Sequence, residues 1–186
     1  MKDIYFFGDG IADGSASDKN LLGGKGANLA EMTRLGIPVP PGFTISTDVC
    51  RYYMEKGKYP DDLEAQFQNS LSQVEKIMDQ KFGDENNPLL VSIRSGARQS
   101  MPGMMETILN VGLTSKTIPG LIEKSADERF VYDAYRRLIT MYADVVMEKT
   151  TAKELPNGEG IREKLDKIME SLKNREGTKT DGDLSA

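Results

Sequence analysis

The chain contains the run Leu21-Leu-Gly-Gly-Lys-Gly-Ala-Asn-Leu-Ala30 and, further along, the run Val91-Ser-Ile-Arg-Ser-Gly-Ala-Arg98. Each run places a cation, Lys25 or Arg94, on backbone that is rich in glycine. Because glycine has no Cβ, such backbone can approach a ligand closely. A lysine and an arginine presented in this way suit a polyanion such as a nucleoside triphosphate, since phosphoryl transfer is catalysed mainly by positioning and by neutralising charge.

The first run is not a P-loop. That pattern needs a glycine where Lys19 stands and a serine or threonine where Gly26 stands. We instead predict a helix from about Gly26 to Gly36, whose N-terminal dipole and free amides would favour an anion beside Lys25. On spacing alone, a tight turn with a solvated lysine is the plainer interpretation.

Arg94 directly follows the mostly apolar residues 89–93. Residues 89–93 form a near-continuous apolar run, which predicts a strand buried on both faces. Ligand chemistry tends to lie at strand ends in folds of this kind, and a guanidinium can bind phosphate oxygens in a bidentate manner. A strand-terminal arginine paired with a surface carboxylate is the alternative.

Two further segments carry candidate residues. In the segment 100–106, Met101, Gly103 and Met104 could form a flexible apolar lid over a nucleotide, or could fill the core around a turn. In the long helix predicted over 127–149, the neighbours Arg136 and Arg137 point in different directions, so at most one should turn inward. A solvated charged face is the plainer interpretation of that pair.

Composition limits the function classes. The chain has 186 residues, 28% of them charged, and a formal net charge of −5, which argues against a general nucleic-acid or anionic-membrane binder. It contains no histidine, which excludes histidine-based catalysis and phosphohistidine formation on this chain. Cys50 is the only cysteine, so no internal disulfide can form, and we expect it to be buried. No apolar run is long enough for a bilayer span or a signal peptide, so we expect a cytoplasmic location.

The pattern of elements predicts three regions. Residues 1–112 should form an α/β subdomain, with strands near residues 4–7 and 43–46 and a helix over 61–82. Residues 113–174 should be mostly helical, with apolar residues of the long helix on one face, Phe130 among them. The polar residues 175–186 are expected to form a flexible tail.

The runs 21–32, 36–43, 89–98 and 130–137 together resemble the phosphoenolpyruvate synthase/pyruvate, phosphate dikinase family, and 100–105 favours the dikinase branch. This resemblance implies an α+β fold: an ATP-grasp-like nucleotide-binding subdomain with a mixed sheet, followed by a mostly helical subdomain. It also implies that the chain is truncated, because the family's nucleotide-binding domain continues well beyond residue 186.

In that family ATP, phosphate and pyruvate are converted to AMP, diphosphate and phosphoenolpyruvate through a phosphohistidine on another domain. By motif, Lys25 and Arg94 would hold the ATP phosphates and act in catalysis, and Arg137 would be a further phosphate contact. The residues implied to line the nucleotide cleft are Ser95, Gly96, Met101, Gly103 and Met104. The resemblance also implies Mg²⁺, with its ligands mainly in the later part of the domain and none in this chain, and a parent that could be a homodimer.

Two other functions remain open from the sequence. The chain could be a stand-alone nucleotide-binding or scaffold fragment without catalysis, because it has no histidine and lacks the acidic later part. It could also be the N-terminal ATP-grasp part of a different dikinase, for example a phosphoenolpyruvate synthase-like enzyme or an antibiotic or glucan phosphotransferase. In each case the chain alone is expected to be inactive.

Overall fold

The computed structural model describes residues 2–96, 107–148 and 160–185. These residues fall into two compact units. The first is drawn from Met1–Lys81 and Ser95–Met105, and the second from Phe82–Arg94 and Glu106–Ala186. The sequence predicts a boundary between residues 112 and 113, between a nucleotide-binding subdomain and a helical subdomain, and this boundary stays a prediction.

The first unit contains a small antiparallel sheet. Its strands are β1 (Ile4–Gly8), β2 (Ile11–Ala12) and β3 (Gly42–Ile45), in the order β2-β1-β3. The β1–β2 connection is the dipeptide Asp9-Gly10, and both residues have positive φ, 50° and 74°. That is the geometry of a two-residue hairpin turn, for which Asp-Gly is a favoured sequence.

The described residues of the first unit also form a 3₁₀ turn over Ala16–Asp18 and three α-helices: α1 (Lys19–Arg34), α2 (Thr47–Lys56) and α3 (Leu63–Met78). Helix α1 starts earlier than the sequence predicts, but it ends at Arg34, just before the predicted stop at Gly36, which has φ of 75°. Helix α3 is shorter than the predicted 61–82, because Asp79 adopts a left-handed conformation that caps it.

The second unit pairs β4 (Val91–Arg94) with β5 (Thr107–Val111), again antiparallel. Helices α4 (Ile118–Ser125) and α5 (Glu128–Tyr142) follow, and a π-helical turn over Ala143–Met147 continues α5. Helix α6 covers Ile161–Glu176. The α+β class predicted from the sequence is confirmed, and in the described residues its sheets are two small antiparallel ones.

The core of the second unit is a cluster of Leu113, Ile118 and Val131. Residues of α5 that pack against it include Ala134 and Leu138. Phe130, predicted to face the core, is instead 59% exposed. The prediction was wrong for Phe130 alone, because in this turn Val131 is the residue that clusters with Leu113 and Ile118.

Two other burial predictions were wrong. Strand β4 is not buried on both faces, since Ile93 is 54% exposed, and β5 is its only partner among the described strands. Burial falls instead on Leu89, just before the strand. Cys50, expected to be buried, is exposed on α2.

The segment predicted as a tail makes several defined contacts. Helix α6 continues through Glu176, and Asp181–Asp183 forms a short 3₁₀ turn. Asp181 pairs with Lys173 on α6 and with Arg136 on α5. The flexibility of this segment stays a prediction. Among the described residues, no helix is both long and apolar enough to cross a membrane.

Candidate phosphate-binding site

Lys25 lies next to a break in helix α1. Gly23 has φ of 70° and ψ of 168°, a non-helical conformation that is unfavourable for residues with a side chain. The segment from Gly24 onward is therefore a helix start in its own right, and first-turn amides lack intrahelical acceptors and carry partial positive charge. Lys25 is half-buried in this turn. The structure thus places Lys25 at a helix start, as predicted, although α1 itself begins at Lys19.

The turn before the break is held firmly in place. Leu22 is 3% exposed. A Cβ on Gly14 would lie 2.4 Å from Leu22 Cδ1, so Gly14 packs closely against the end of the Leu22 side chain. The Thr47 hydroxyl at the start of α2 donates a hydrogen bond to the Asn20 carbonyl at 2.7 Å. These contacts fix the backbone that leads into Lys25.

The second glycine-rich run approaches the same backbone. Ser95 and Gly96 are exposed and belong to the first unit. A Cβ built on Gly96 would lie 3.9 Å from the carbonyl oxygen of Leu22, which is ordinary contact distance. The structure therefore brings Gly96 beside the break that precedes Lys25.

The other predicted residues of that run are placed separately. Arg94 is exposed at the end of β4 in the second unit, opposite Thr107 in the strand register. Met101, Gly103 and Met104 lie outside the described residues.

On α5, one carboxylate holds both neighbouring arginines. Arg137 Nε lies 2.8 Å from Asp133 Oδ2, and Arg136 Nη2 lies 2.8 Å from Asp133 Oδ1. Arg136 is the more buried of the two and also reaches Asp181, whereas Arg137 is 62% exposed. Burial of the Asp133 carboxyl favours its neutral form, but hydrogen bonds and charge from both arginines outweigh this and hold the pKa of Asp133 below its ordinary value.

The ion pair with Asp133 occupies the Arg137 guanidinium, which the family resemblance implies as a phosphate contact. A phosphate contact by Arg137 would require the side chain to exchange the Asp133 carboxylate for the ligand. Asp133 is not among the residues predicted from the sequence, although its spacing of three and four residues from the two arginines indicates ion pairs on one helix face.

A cavity of about 310 Å³ lies elsewhere in the second unit, between α5, α6 and the segment after α6. Three arginines line it, and three carboxylates, including Asp133 and Asp181, lie among them. The charges balance, so this cavity lacks the excess positive charge that a polyanion needs. Its floor is partly apolar, with Met169 and Leu172 from α6.

The described residues contain no preformed cluster of metal ligands. Nowhere in the described parts of the chain do three or more acidic, cysteine or histidine side chains come together as metal ligands would.

Comparison with known proteins gives the family context of this geometry. Residues 19–77, which include Lys25, match the family model described as "Pyruvate phosphate dikinase, AMP/ATP-binding domain". The chain is 49% identical over 185 residues to a pyruvate, phosphate dikinase of Rhizobium meliloti (strain 1021), and 47% identical over 175 residues to one of Clostridium symbiosum. It is 46% identical over 187 residues to the chloroplastic pyruvate, phosphate dikinase 1 of Arabidopsis thaliana.

These alignments cover 98%, 94% and 100% of this chain but only 19%, 19% and 18% of the respective relatives. The chain thus spans about a fifth of the length of the curated relatives it matches. Its similarity extends well beyond the glycine-rich runs, to nearly all of its residues. By sequence, this chain is similar over nearly all its length to about a fifth of several pyruvate, phosphate dikinases, and residues 19–77 match the AMP/ATP-binding domain model.

Proposed function

We propose that this chain is the ATP-binding portion of a phosphotransferase that converts ATP, phosphate and pyruvate to AMP, diphosphate and phosphoenolpyruvate. The observation that carries the proposal is the position of Lys25 beside the break at Gly23, inside the stretch that matches an AMP/ATP-binding domain. The relatives over nearly the whole chain are named for this dikinase activity.

In this proposal Lys25 and Arg94 bind the ATP phosphates and stabilise the charge that develops on the transferring group. Lys25 supplies a mobile point charge, and Arg94 supplies a planar bidentate donor. Ser95 and Gly96 line the phosphate end of the cleft, with backbone close enough to Leu22 to continue the surface around Lys25. Arg137 joins as a further contact once it leaves Asp133.

The rest of the reaction belongs outside this chain. As the family resemblance implies, the phosphoryl group passes to a histidine on another domain of a longer protein; this chain itself has no histidine. Mg²⁺ accompanies ATP, with ligands mainly in the later part of the nucleotide-binding domain, and Met101, Gly103 and Met104 contact the nucleotide. We propose that the chain alone is inactive and that the parent is a cytoplasmic homodimer, although plant relatives are named chloroplastic.

A calorimetric titration with magnesium-ATP tests the binding part of this proposal. Hydrogen bonds to charged groups contribute about 1.5–3 kcal/mol, so Lys25→Ala and Arg94→Ala should each weaken binding by roughly ten-fold to a hundred-fold. The matched controls are Arg34→Ala at the far end of α1 and Arg175→Ala near the end of α6, both exposed, which should bind like the unchanged chain. Equal losses in all four variants would mean a nonspecific charge effect and would contradict the assignment.

The reaction itself can be tested in a longer protein that contains this sequence. Lys25→Ala and Arg94→Ala should slow phosphorylation of the carrier histidine by ATP while leaving exchange between pyruvate and phosphoenolpyruvate nearly intact. Removing one preorganised donor should cost on the order of 2–4 kcal/mol of transition-state stabilisation. Equal loss of both half-reactions would count against the roles given to these cations.

A further inference from the structure

Gly26 follows Lys25 directly and has no conformational reason to be glycine. It is buried inside α1 and is absent from the residues with positive φ. An alanine could adopt the same backbone conformation, and glycine inside a helix is less favourable than alanine. A glycine in such a place therefore indicates a packing requirement.

The requirement is a close contact with strand β3. A Cβ on Gly26 would lie 2.8 Å from both Oγ1 and Cγ2 of Thr44, and 3.2 Å from Leu22 Cβ. Distances below 3.0 Å essentially never occur for a real Cβ. Helix α1 therefore lies against β3 at a depth that only a residue without a side chain allows.

Thr44 cannot relieve this contact by turning. Two of the three staggered positions on its Cβ hold heavy atoms, so every χ1 rotamer leaves at least one heavy atom towards Gly26. Its backbone is fixed as well, because Thr44 lies opposite Tyr5 in the β1–β3 register. An alanine at position 26 would have to move the helix by about 0.6 Å to reach an ordinary van der Waals distance of 3.4 Å.

Lys25 lies between two anchors. On one side is the break at Gly23, behind which Leu22 and Asn20 are held by Gly14 and Thr47. On the other side is the contact of Gly26 with Thr44. A shift of α1 away from β3 would therefore displace the Lys25 backbone, because the preceding turn is held in place.

We propose that Gly26 and Thr44 are positioning residues that set the place of Lys25 for contact with the nucleotide phosphates. This inference rests on the proposed function of Lys25 and deepens it. Binding sites need their charged groups held to within about 0.5 Å, so a displacement of the size worked out above is large enough to weaken binding.

A double-mutant cycle tests the proposal. Magnesium-ATP affinity and urea unfolding are measured for the unchanged chain, Gly26→Ala, Thr44→Ala and the double variant. We expect Gly26→Ala to bind about ten-fold more weakly, and the double variant to return to within about three-fold of the unchanged chain, because removing Oγ1 and Cγ2 makes room for the new methyl group. Binding by Gly26→Ala that equals the unchanged chain, or no recovery in the double variant, would overturn the proposal.

Gly36→Ala is the control for a merely structural effect. Gly36 also belongs to the α1 region, but it has φ of 75°, and nothing lies within 4 Å of the place that a Cβ would occupy. This substitution should therefore lower stability through strain while leaving ATP affinity unchanged. A matching loss of affinity in Gly36→Ala would show that helix stability, and not the position of Lys25, controls binding.

A ligand-independent measurement separates this proposal from the proposed function. The amide resonance of Lys25 is recorded by NMR in the same four proteins without nucleotide. If the unchanged chain does not bind ATP, the ATP-binding function proposed for this chain is contradicted. A Lys25 resonance that moves in Gly26→Ala and returns in the double variant would still support the positioning role of Gly26 and Thr44. A resonance that stays in place in Gly26→Ala overturns positioning, whatever the result with ATP.

Discussion

Leu22 lies near the start of α1 and is buried, whereas Leu35 lies just after its end and is exposed. Comparing alanine substitutions at the two positions tests the packing of the turn that precedes Lys25. Leu22 is 3% exposed and Leu35 is 68% exposed. Leu22→Ala removes three buried carbons, worth about 2.4 kcal/mol at roughly 0.8 kcal/mol each. The cavity left behind adds about 1 kcal/mol, so the expected loss of unfolding free energy is about 3–4 kcal/mol. Leucine and alanine have similar helix propensities, so the loss reports burial.

The assay is urea unfolding followed by circular dichroism, with the m-value compared between variants. Leu35→Ala should change the unfolding free energy by no more than about 0.5 kcal/mol, as for other exposed sites. A Leu22→Ala effect below about 1 kcal/mol, or equal effects at the two positions, would refute the packing described around the Gly23 break.

Three other predictions concern the rest of the chain. Gly120→Ala should destabilise it by on the order of 3 kcal/mol in the same assay, because the new methyl group would lie 2.2 Å from the Glu85 carbonyl oxygen; a change below about 1 kcal/mol would refute this packing of α4. The depressed pKa of Asp133 stabilises the fold above the carboxyl's unfolded value near pH 4, and this contribution is lost as the pH falls through the folded value. Asp133→Asn should therefore cost more stability at pH 7 than at pH 3, and an equal cost at both values would show that pairing with Arg136 contributes nothing. Cys50 should react with a thiol reagent in the native protein nearly as fast as in urea, and protection in the native state would contradict its exposure.

Features with strong local signals could be predicted from the sequence. The end of α1 just before Gly36 and the position of Lys25 at a helix start both follow from glycine's conformational freedom. The α+β class was implied by the family resemblance, whose motifs can be recognised without knowledge of tertiary contacts. The family assignment drew on similar short-range patterns, and the comparisons extend it to nearly the whole chain.

Features decided by distant contacts could not be predicted. Whether Phe130 or Val131 faces the core depends on contacts with Leu113 and Ile118, since either residue fits a helical spacing of apolar positions. The apolar run ending at Ile93 indicates a buried strand, but its two-stranded pairing leaves that side chain largely exposed. The role of Gly26 required the position of Thr44, which is brought to it by the fold.

The function proposed for this chain depends on the backbone around Lys25 binding the phosphates of ATP. An NMR titration of the labelled chain with magnesium-ATP, following backbone amides, tests that binding residue by residue. We predict shift changes concentrated at residues 23–26 and 94–96 and their loss in Lys25→Ala. Changes confined to the cavity between α5 and α6, or none at residues 23–26 in a folded chain, would contradict the proposed binding.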